Sequence, residues 1–275
     1  MFPKLPRPLL LLLLTKGSIV YVTAQNKCFE DRTELKWAID SCWEGGKGHP
    51  SDYDTELEND TNEEDCNLVK ATYGWPIGTW CTKDVTDFHF LFVDKEDFNE
   101  DISEWDTSSV TDMYETFSYA KSFNGDLGKW DFSKVTKSYG MFNGAKSFEG
   151  KGVENWDTSS LVDMQWMFYG EEEVGGGGVF DADLSGWDTS KVTSMYESFC
   201  YTAVYKGVGL EGWDTSQVEY MEGMVSEISL RIYIYIYHYM YQYIICFLTL
   251  CNTTTNSSMR PLRLMQISPA GTFQR

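Results

Sequence analysis

Apolar side chains recur along this chain on a fixed frame, and neither a helical nor a strand period describes it. Counted from Trp105, the frame runs Trp105, Val110, Met113, Phe117, Ala120, Phe123 and Leu127, and Trp130 starts it again. Up to Phe123 the gaps are 5, 3, 4, 3 and 3 residues. One long helix would show apolar residues every three to four positions on one face, and one long strand every second position. A coil that turns corners and sends a side chain inward from each segment fits better. The spacing predicts a short strand over 110–113 and one or two helical turns over 114–120, because Met113, Phe117 and Ala120 have helix-type separations.

The frame is a repeat. "TYGWPIGTWCTKDVTDFHFLF" (Thr72–Phe92) superposes without a gap on the stretch ending in "WDTSSVTDMYETF" (Trp105–Phe117). The frame Trp recurs at 80, 105, 130, 156, 187 and 213, with intervals of 25, 25, 26, 31 and 26 residues. The long interval holds "GEEEVGGGG" (170–178), an insertion that should loop out from one face of a stack. Repeat three carries Ser138 where the others have Met or Phe, a substitution expected to weaken its core. Residues 73–224 therefore read as six stacked units, the first degenerate, each touching only its neighbours.

An open end of such a stack exposes apolar side chains and needs a cap. Residues 25–72 are placed to supply one. "DRTELKWAIDSCW" (31–43) puts Leu35, Ala38, Ile39 and Cys42 at helical spacing behind Asp31 or Thr33 as a start signal. The acidic, turn-rich stretch 45–65 reads as a loop. Ahead of the cap, 1–24 has basic Lys4 and Arg7, a Leu9–Leu14 core and a small-residue site ending at Ala24, the pattern of a secretory signal peptide.

The motif F-N-x-D-[LI]-S-x-W-D-T-S-x-V-T-x-M-Y-x-x-F, as in "FNEDISEWDTSSVTDMYETF" (98–117), resembles the repeat of BspA-like leucine-rich-repeat surface proteins, also called the mycoplasma-lipoprotein type. The likeness covers roughly 73–224, and "YGWPIGTW" resembles the usual lead-in to the first repeat. It implies an extracellular or surface-attached protein with a role in adhesion or interaction. Two departures stand out: the leucine-rich motif with its Asn ladder is missing, and no lipobox precedes Cys28.

Charge and cysteine content narrow the function. Acidic residues outnumber basic ones 42 to 22, a net charge of −20 spread along the chain. Nucleic acid and anionic membrane surfaces are poor partners for such a chain. Cys28, Cys42, Cys66 and Cys81 precede the regular repeats and suit two disulfides in an oxidising compartment, with three pairings open. A zinc site is the competing reading, but no CxxC or neighbouring His supports it. Asn59-Asp60-Thr61 is a glycosylation sequon on what reads as a surface loop.

The most regular polar feature is the Asp after each frame Trp: Asp106, Asp131, Asp157, Asp188 and Asp214. At a coil spacing of about 4.8 Å, neighbouring carboxylates repel by roughly 1 kcal/mol in water. Each is expected to stay exposed and to accept a backbone N–H two residues on, fixing a turn. The sharper alternative is calcium between coils, for which Asp181, Asp183, Ser185 and Asp188 are the candidates. "DADLSGWDTSKV" opens like an EF-hand loop but ends in Val192 where the bidentate Glu belongs. Catalysis finds little to work with. His49, His89 and His238 sit in no metalloprotease or nucleophile motif, and no GxSxG, P-loop or dinucleotide fingerprint occurs. Cys200 reads as a buried thiol. Positions that vary between repeats are the better binding candidates, and these are Tyr114, Lys137, Tyr139, Gln165, Tyr196 and Tyr220, whose tyrosines suit a protein or glycan surface.

After Met224 the repeat stops. The segment 225–275 begins Val-Ser and continues through "RIYIYIYHYMYQYIICFLTLC". Alternating Ile and Tyr is what a TA dinucleotide tract encodes, and Val-Ser can be read from GTAAGT, an intron start. Retained intron or a mispredicted exon is the leading reading. A transmembrane segment at 232–251 and an edge strand are the alternatives.

The sequence as a whole reads as an α/β repeat, a leucine-rich-repeat-like right-handed solenoid of ~25-residue coils, each with a short strand plus a helical turn, behind an N-terminal helical cap. The expected function is non-catalytic recognition of extracellular protein or carbohydrate at the cell surface or after secretion. No cofactor is expected other than the calcium alternative, and a secreted hydrolase is the third class. Membrane attachment depends on 232–251 alone.

Overall fold

A computed structural model describes residues 12–15, 18–21, 27–43, 63–170, 178–202 and 204–224. The expected cleavage site at Ala24, the sequon at Asn59, insertion residues 171–177 and the segment 225–275 lie outside the described residues. Leu12–Thr15 (β1) and Ser18–Tyr21 (β2) pair antiparallel, with Leu12 opposite Tyr21. Two α helices, Arg32–Cys42 (α1) and Glu63–Tyr73 (α2), form the cap. No described helix is long and apolar enough to cross a membrane.

The α/β repeat expected from the sequence is overturned. Among the described residues no strand and no α helix occurs between Gly74 and Met224; the coils are built from turns. The cause is left-handed residues set into every coil, in most of them as a pair four positions apart. Phe90 and Asp94 have φ of 59° and 56°, and Glu115 and Tyr119, at the same frame positions one coil on, have 48° and 57°. Gly140 and Gly144 follow at 57° and 66°, and Glu197 and Tyr201 at 49° and 59°. A left-handed residue every four positions ends both helix and strand. It closes two successive three-residue turns, seen where Thr116 N–H bonds the Met113 carbonyl and Ala120 N–H that of Phe117. The 4 and 3 residue separations of Met113, Phe117 and Ala120 come from these turns.

Turning the backbone this way frees alternate amides to bond the next coil. Phe88, Phe90, Phe92 and Asp94 donate to the carbonyls of Asp112, Tyr114, Thr116 and Ser118 at 2.8–3.0 Å. Met113, Glu115, Phe117 and Tyr119 do the same to Lys137, Tyr139, Met141 and Asn143. Other amides point backward, as Thr111 N–H does to Thr86 and Thr136 N–H to Thr111, both at 2.9 Å, and Ser122 N–H to Glu96 at 2.9 Å. The result is a column of single parallel bridges, Asp87–Asp112–Lys137–Asp163–Ser194–Tyr220.

Inside the stack, equivalent rings pile up. Phe92, Phe117, Phe142, Phe168 and Phe199 form a column with successive centroids 5.1–5.7 Å apart. Phe98, Phe123, Phe148 and Phe180 form a second at 5.9–6.3 Å. Each frame Trp adds a hydrogen bond that Phe could not make. The indoles of Trp105, Trp130, Trp156 and Trp187 donate to the carbonyls of Ile77, Ile102, Leu127 and Val153 in the coil before, at 2.9–3.1 Å. Ser138 is fully buried, and its hydroxyl donates to the Asp163 carbonyl at 3.1 Å, so the polar atom in this core position is satisfied. A short Asn ladder also exists: Asn99 accepts from Asn124 N–H at 2.9 Å and Asn124 from Glu149 N–H at 3.0 Å.

The cap joins the stack through a separate bridge, at the residue after the first frame Trp. Cys28 pairs with Cys81 as a parallel bridge, and Phe29 N–H donates to the Cys81 carbonyl at 3.0 Å. Asp31 caps α1 by accepting from Glu34 N–H at 3.0 Å, and α1 buries Leu35, Ala38 and Ile39. From the same helix Arg32 donates to the outward carbonyl of His89 in the first coil. Disulfides Cys28–Cys81 and Cys42–Cys66 close loops of 53 and 24 residues. Loops of such lengths correspond to about 3–4 kcal/mol each in the chain-entropy account. Cys66 lies in α2, whose first turn Glu63, Glu64 and Asp65 falls at the end of the stretch read from sequence as an acidic loop. Cys200 is buried and disulfide-bonded, not a thiol.

Candidate functional site

The twin turns fix which side chains share a face. In each coil three positions lie beside one another on one side of the stack: the bridge residue, the residue two positions on, and the left-handed residue after that. Where the bridge residue is Asp, its carboxylate accepts the N–H two residues on and sets the direction of the chain. Asp87 takes His89 N–H, Asp112 takes Tyr114 N–H and Asp163 takes Gln165 N–H, at 2.8–3.0 Å.

Stacking the coils turns these positions into columns. The middle column reads His89, Tyr114, Tyr139, Gln165, Tyr196 and Glu222; the left-handed column reads Phe90, Glu115, Gly140, Trp166, Glu197 and Gly223. Rings from both merge into one row. Tyr114 lies 5.3 Å from both His89 and Phe90, and 4.6 Å from Tyr139 in parallel stacking. Tyr139 meets Trp166 at 5.2 Å, and Trp166 meets Tyr196 at 6.1 Å. A flanking set, Tyr169 and Tyr201, joins at Trp166, with Tyr169–Tyr201 at 5.4 Å. These rings are half-buried, so each keeps an edge or a face to solvent.

Of the six surface candidates read from sequence, Tyr114, Tyr139, Gln165 and Tyr196 share the middle column. Lys137 and Tyr220 stand in the bridge column beside it. Lys137 is ion-paired with Asp112 at 3.2 Å, and Tyr220 is 55 % exposed at the last described coil. Sequence reasoning missed Phe90, Trp166, Tyr169 and Tyr201. Gly140 and Gly144, at the frame positions of Trp166 and of the second turn, were the available sign that these positions are left-handed and face outward.

Two carboxylates enter the row from the left-handed column. A Cβ on Gly140 would lie 2.9 Å from Glu115 Cγ, and one on Gly223 would lie 2.7 Å from Glu197 Cγ. Glycine in the following coil therefore makes the room that each glutamate occupies. Glu115 is buried, and Glu197 accepts from the Trp166 indole at 3.0 Å. The tyrosines feel these charges: burial and then the Glu115 charge push the Tyr114 and Tyr139 hydroxyls upward, while hydrogen bonding to Glu197 and then burial do so for Tyr196. Asp163 is also raised, chiefly by burial.

The aspartates after each frame Trp lie on a different edge of the coil. Asp106, Asp131, Asp157, Asp188 and Asp214 each accept the N–H of the serine two residues on, at 2.9–3.0 Å. Serine hydroxyl and backbone bonds hold Asp106, Asp131, Asp188 and Asp214 below the ordinary carboxylate range. The calcium candidates are occupied separately: Asp181 pairs with Lys206, Asp183 accepts from Ser185, and Asp188 from Ser190. No three His, Cys, Asp or Glu converge as a metal site among the described residues.

The turn aspartates set an acid limit on stability. Their folded pKa values lie below the unfolded value of about 3.9, so the stability they contribute is complete above it and lost as pH falls through the folded values. Asp163 acts with the opposite sign, a single group against four. The melting temperature followed by circular dichroism should stay level from about pH 8 to 5 and fall steadily below about pH 4. A melting temperature unchanged to pH 2.5 would contradict these turn bonds.

Comparison with known proteins agrees with the repeat. A family described as "Mycoplasma protein of unknown function, DUF285" matches residues 66–177 and 149–230, together more than half of the chain. No curated protein and no solved structure matches it. The chain belongs to the DUF285 family, that of the BspA-like surface repeat proteins.

Proposed function

We propose that this chain is a non-catalytic recognition module that works outside the cell or at its surface and binds extracellular protein or carbohydrate through the ring row. The observation that carries this reading is the unbroken run of half-buried rings from His89 to Tyr196 across five coils. Half-buried aromatics offer large, rigid contact area at low entropic cost, and tyrosine adds a polar tip. The rings hold their places by stacking on one another, so the surface is formed before any partner arrives. Two disulfides in the cap fit an oxidising compartment.

The test is a binding panel of extracellular-matrix proteins and oligosaccharides presented to the immobilised full chain. The comparison is a row variant, Trp166→Ala with Tyr196→Ala, against a variant of the opposite edge, Asp131→Asn. Binding to at least one panel member should be lost in the first and kept in the second. Equal binding by both, or turnover of a panel member that depends on one carboxylate, would contradict the proposal.

A further inference from the structure

The two carboxylates beneath the ring row narrow the ligand class. Glu115 stands in the second coil between Tyr114 and Tyr139, and Glu197 in the fifth between Trp166 and Tyr196. Each side chain lies over a glycine of the next coil, Gly140 or Gly223, and any larger residue there would displace it. A carboxylate partly walled off by rings is screened less by salt than an exposed one, and its field emerges through the aromatic surface. The row's own cation, Lys137, is held by Asp112 at the side. What remains at the surface is a line of ring edges, the tilted faces beside Trp166, hydroxyl acceptors and negative potential.

A neutral sugar ring fits this poorly. Sugar rings bind aromatic faces that lie open, and Tyr114 and Tyr139 lie face to face at 4.6 Å with only 1° between their planes. A cationic side chain fits better, because guanidinium groups take tyrosine hydroxyls, carboxylates and tilted ring faces together. Trp166 supplies such tilted faces, at 60° to Tyr139 and 57° to Tyr196. The distance between the two acidic nests gives the spacing. Three coil steps at about 4.8 Å come to about 14 Å, and in an extended chain residues i and i+4 are about 13–14 Å apart on one face.

Resting on the recognition reading above, we infer that the row binds an extended peptide segment carrying two arginines or lysines four residues apart, one over the Glu115 nest and one over the Glu197 nest. The partner is thus a basic, unfolded or loop segment of another extracellular protein, laid along the stack. Its backbone runs across the coils, with the side chains at i+1 and i+3 facing solvent and a small residue at i+2 against the row.

The experiment uses the full chain and fluorescence anisotropy with labelled Ser/Gly peptides of about nine residues. One peptide has two arginines at i and i+4, a second has them adjacent, and a third has glutamates in their place. The first should bind about tenfold more tightly than the second, and the third should not bind. Glu115→Gln with Glu197→Gln should weaken the first peptide about tenfold, whereas Asp131→Asn with Asp214→Asn, an equal charge change on the other edge, should leave it within about twofold. Tyr114→Phe with Tyr139→Phe keeps the stack and removes two acceptors, and it should also weaken binding, so the outcome does not depend on one variant's folding. Equal affinity for both arginine peptides, or equal loss in both charge variants, would overturn the inference in favour of non-specific attraction to an acidic protein. Row-dependent binding of a neutral oligosaccharide without binding of the arginine peptide would overturn the inference and leave the recognition reading standing. Absence of any row-dependent binding would overturn both.

Discussion

Trp130→Ala should destabilise the protein by about 3–5 kcal/mol, the range for removing a buried aromatic side chain. Trp130 is 3 % exposed and touches Phe88 of the first coil and Phe117 of the second, each with centroids 5.8 Å away. Its indole also satisfies the Ile102 carbonyl at 3.1 Å. Trp130→Phe separates the two contributions: it keeps most of the apolar burial and gives up the donor, at a cost of about 1–3 kcal/mol. Because each coil contacts only its neighbours, damage in the third coil uncouples the two ends. Urea unfolding followed by circular dichroism should therefore show both a lower midpoint and a broader transition for Trp130→Ala. An alanine variant within about 1 kcal/mol of the parent would mean the coils close up around the loss, contrary to a stack of fixed layers.

Asp40→Ala should cost about as much, about 3–5 kcal/mol, for an electrostatic reason. The Asp40 carboxylate receives Lys36 at 2.6 Å and Lys95 at 2.8 Å, and the Lys95 side chain is 1 % exposed. Lys95 Nζ also donates to the Trp43 carbonyl at 2.8 Å, tying α1 to the first coil. Removing Asp40 leaves two ammonium groups side by side where the cap meets the first coil. Burial already pulls the Lys36 pKa down, Asp40 opposes that shift, and the Lys95 charge adds to it. Without Asp40 the folded state holds fewer protons than the unfolded chain, so stability rises with pH between the depressed folded value and the ordinary lysine value. The deficit of the variant should narrow as pH is raised from about 8 to 10. A deficit constant over that range would show that Asp40 acts by packing alone.

How much of this was legible in the sequence depended on whether a physical cause left a mark in residue type. The coil register did, because the indole bond demands Trp at one position in every coil. The start of α1 did, through Asp31. The pairing of the four cap cysteines did not, since it depends on α2. That helix was hidden because Glu63, Glu64 and Asp65, which favour a helix N-terminus, resemble a solvated acidic loop. The turn-built coil was hidden for a subtler reason. Left-handed backbone is normally signalled by glycine, yet Phe90, Glu115, Tyr119, Trp166 and Glu197 adopt it here. Each pays about 1–2 kcal/mol in local strain, offset by interlocking with the neighbouring coils. The spacing of Met113, Phe117 and Ala120 then imitates a helix. Part of the ring row was missed with it: the position of Trp166 varies between coils, but only its glycines, Gly140 and Gly223, marked it as left-handed backbone.

Left-handed turns bring rings from five successive coils into a single continuous row on the outer face. Aromatic-to-aromatic nuclear Overhauser effects in the free protein test it most directly. Cross-peaks should link Tyr114 to Tyr139, Tyr139 to Trp166 and Trp166 to Tyr196, whose ring centroids lie 4.6, 5.2 and 6.1 Å apart. Absence of these cross-peaks, together with sequential helical contacts from Met113 to Phe117, would contradict both the turn-built coil and the recognition surface that rests on it.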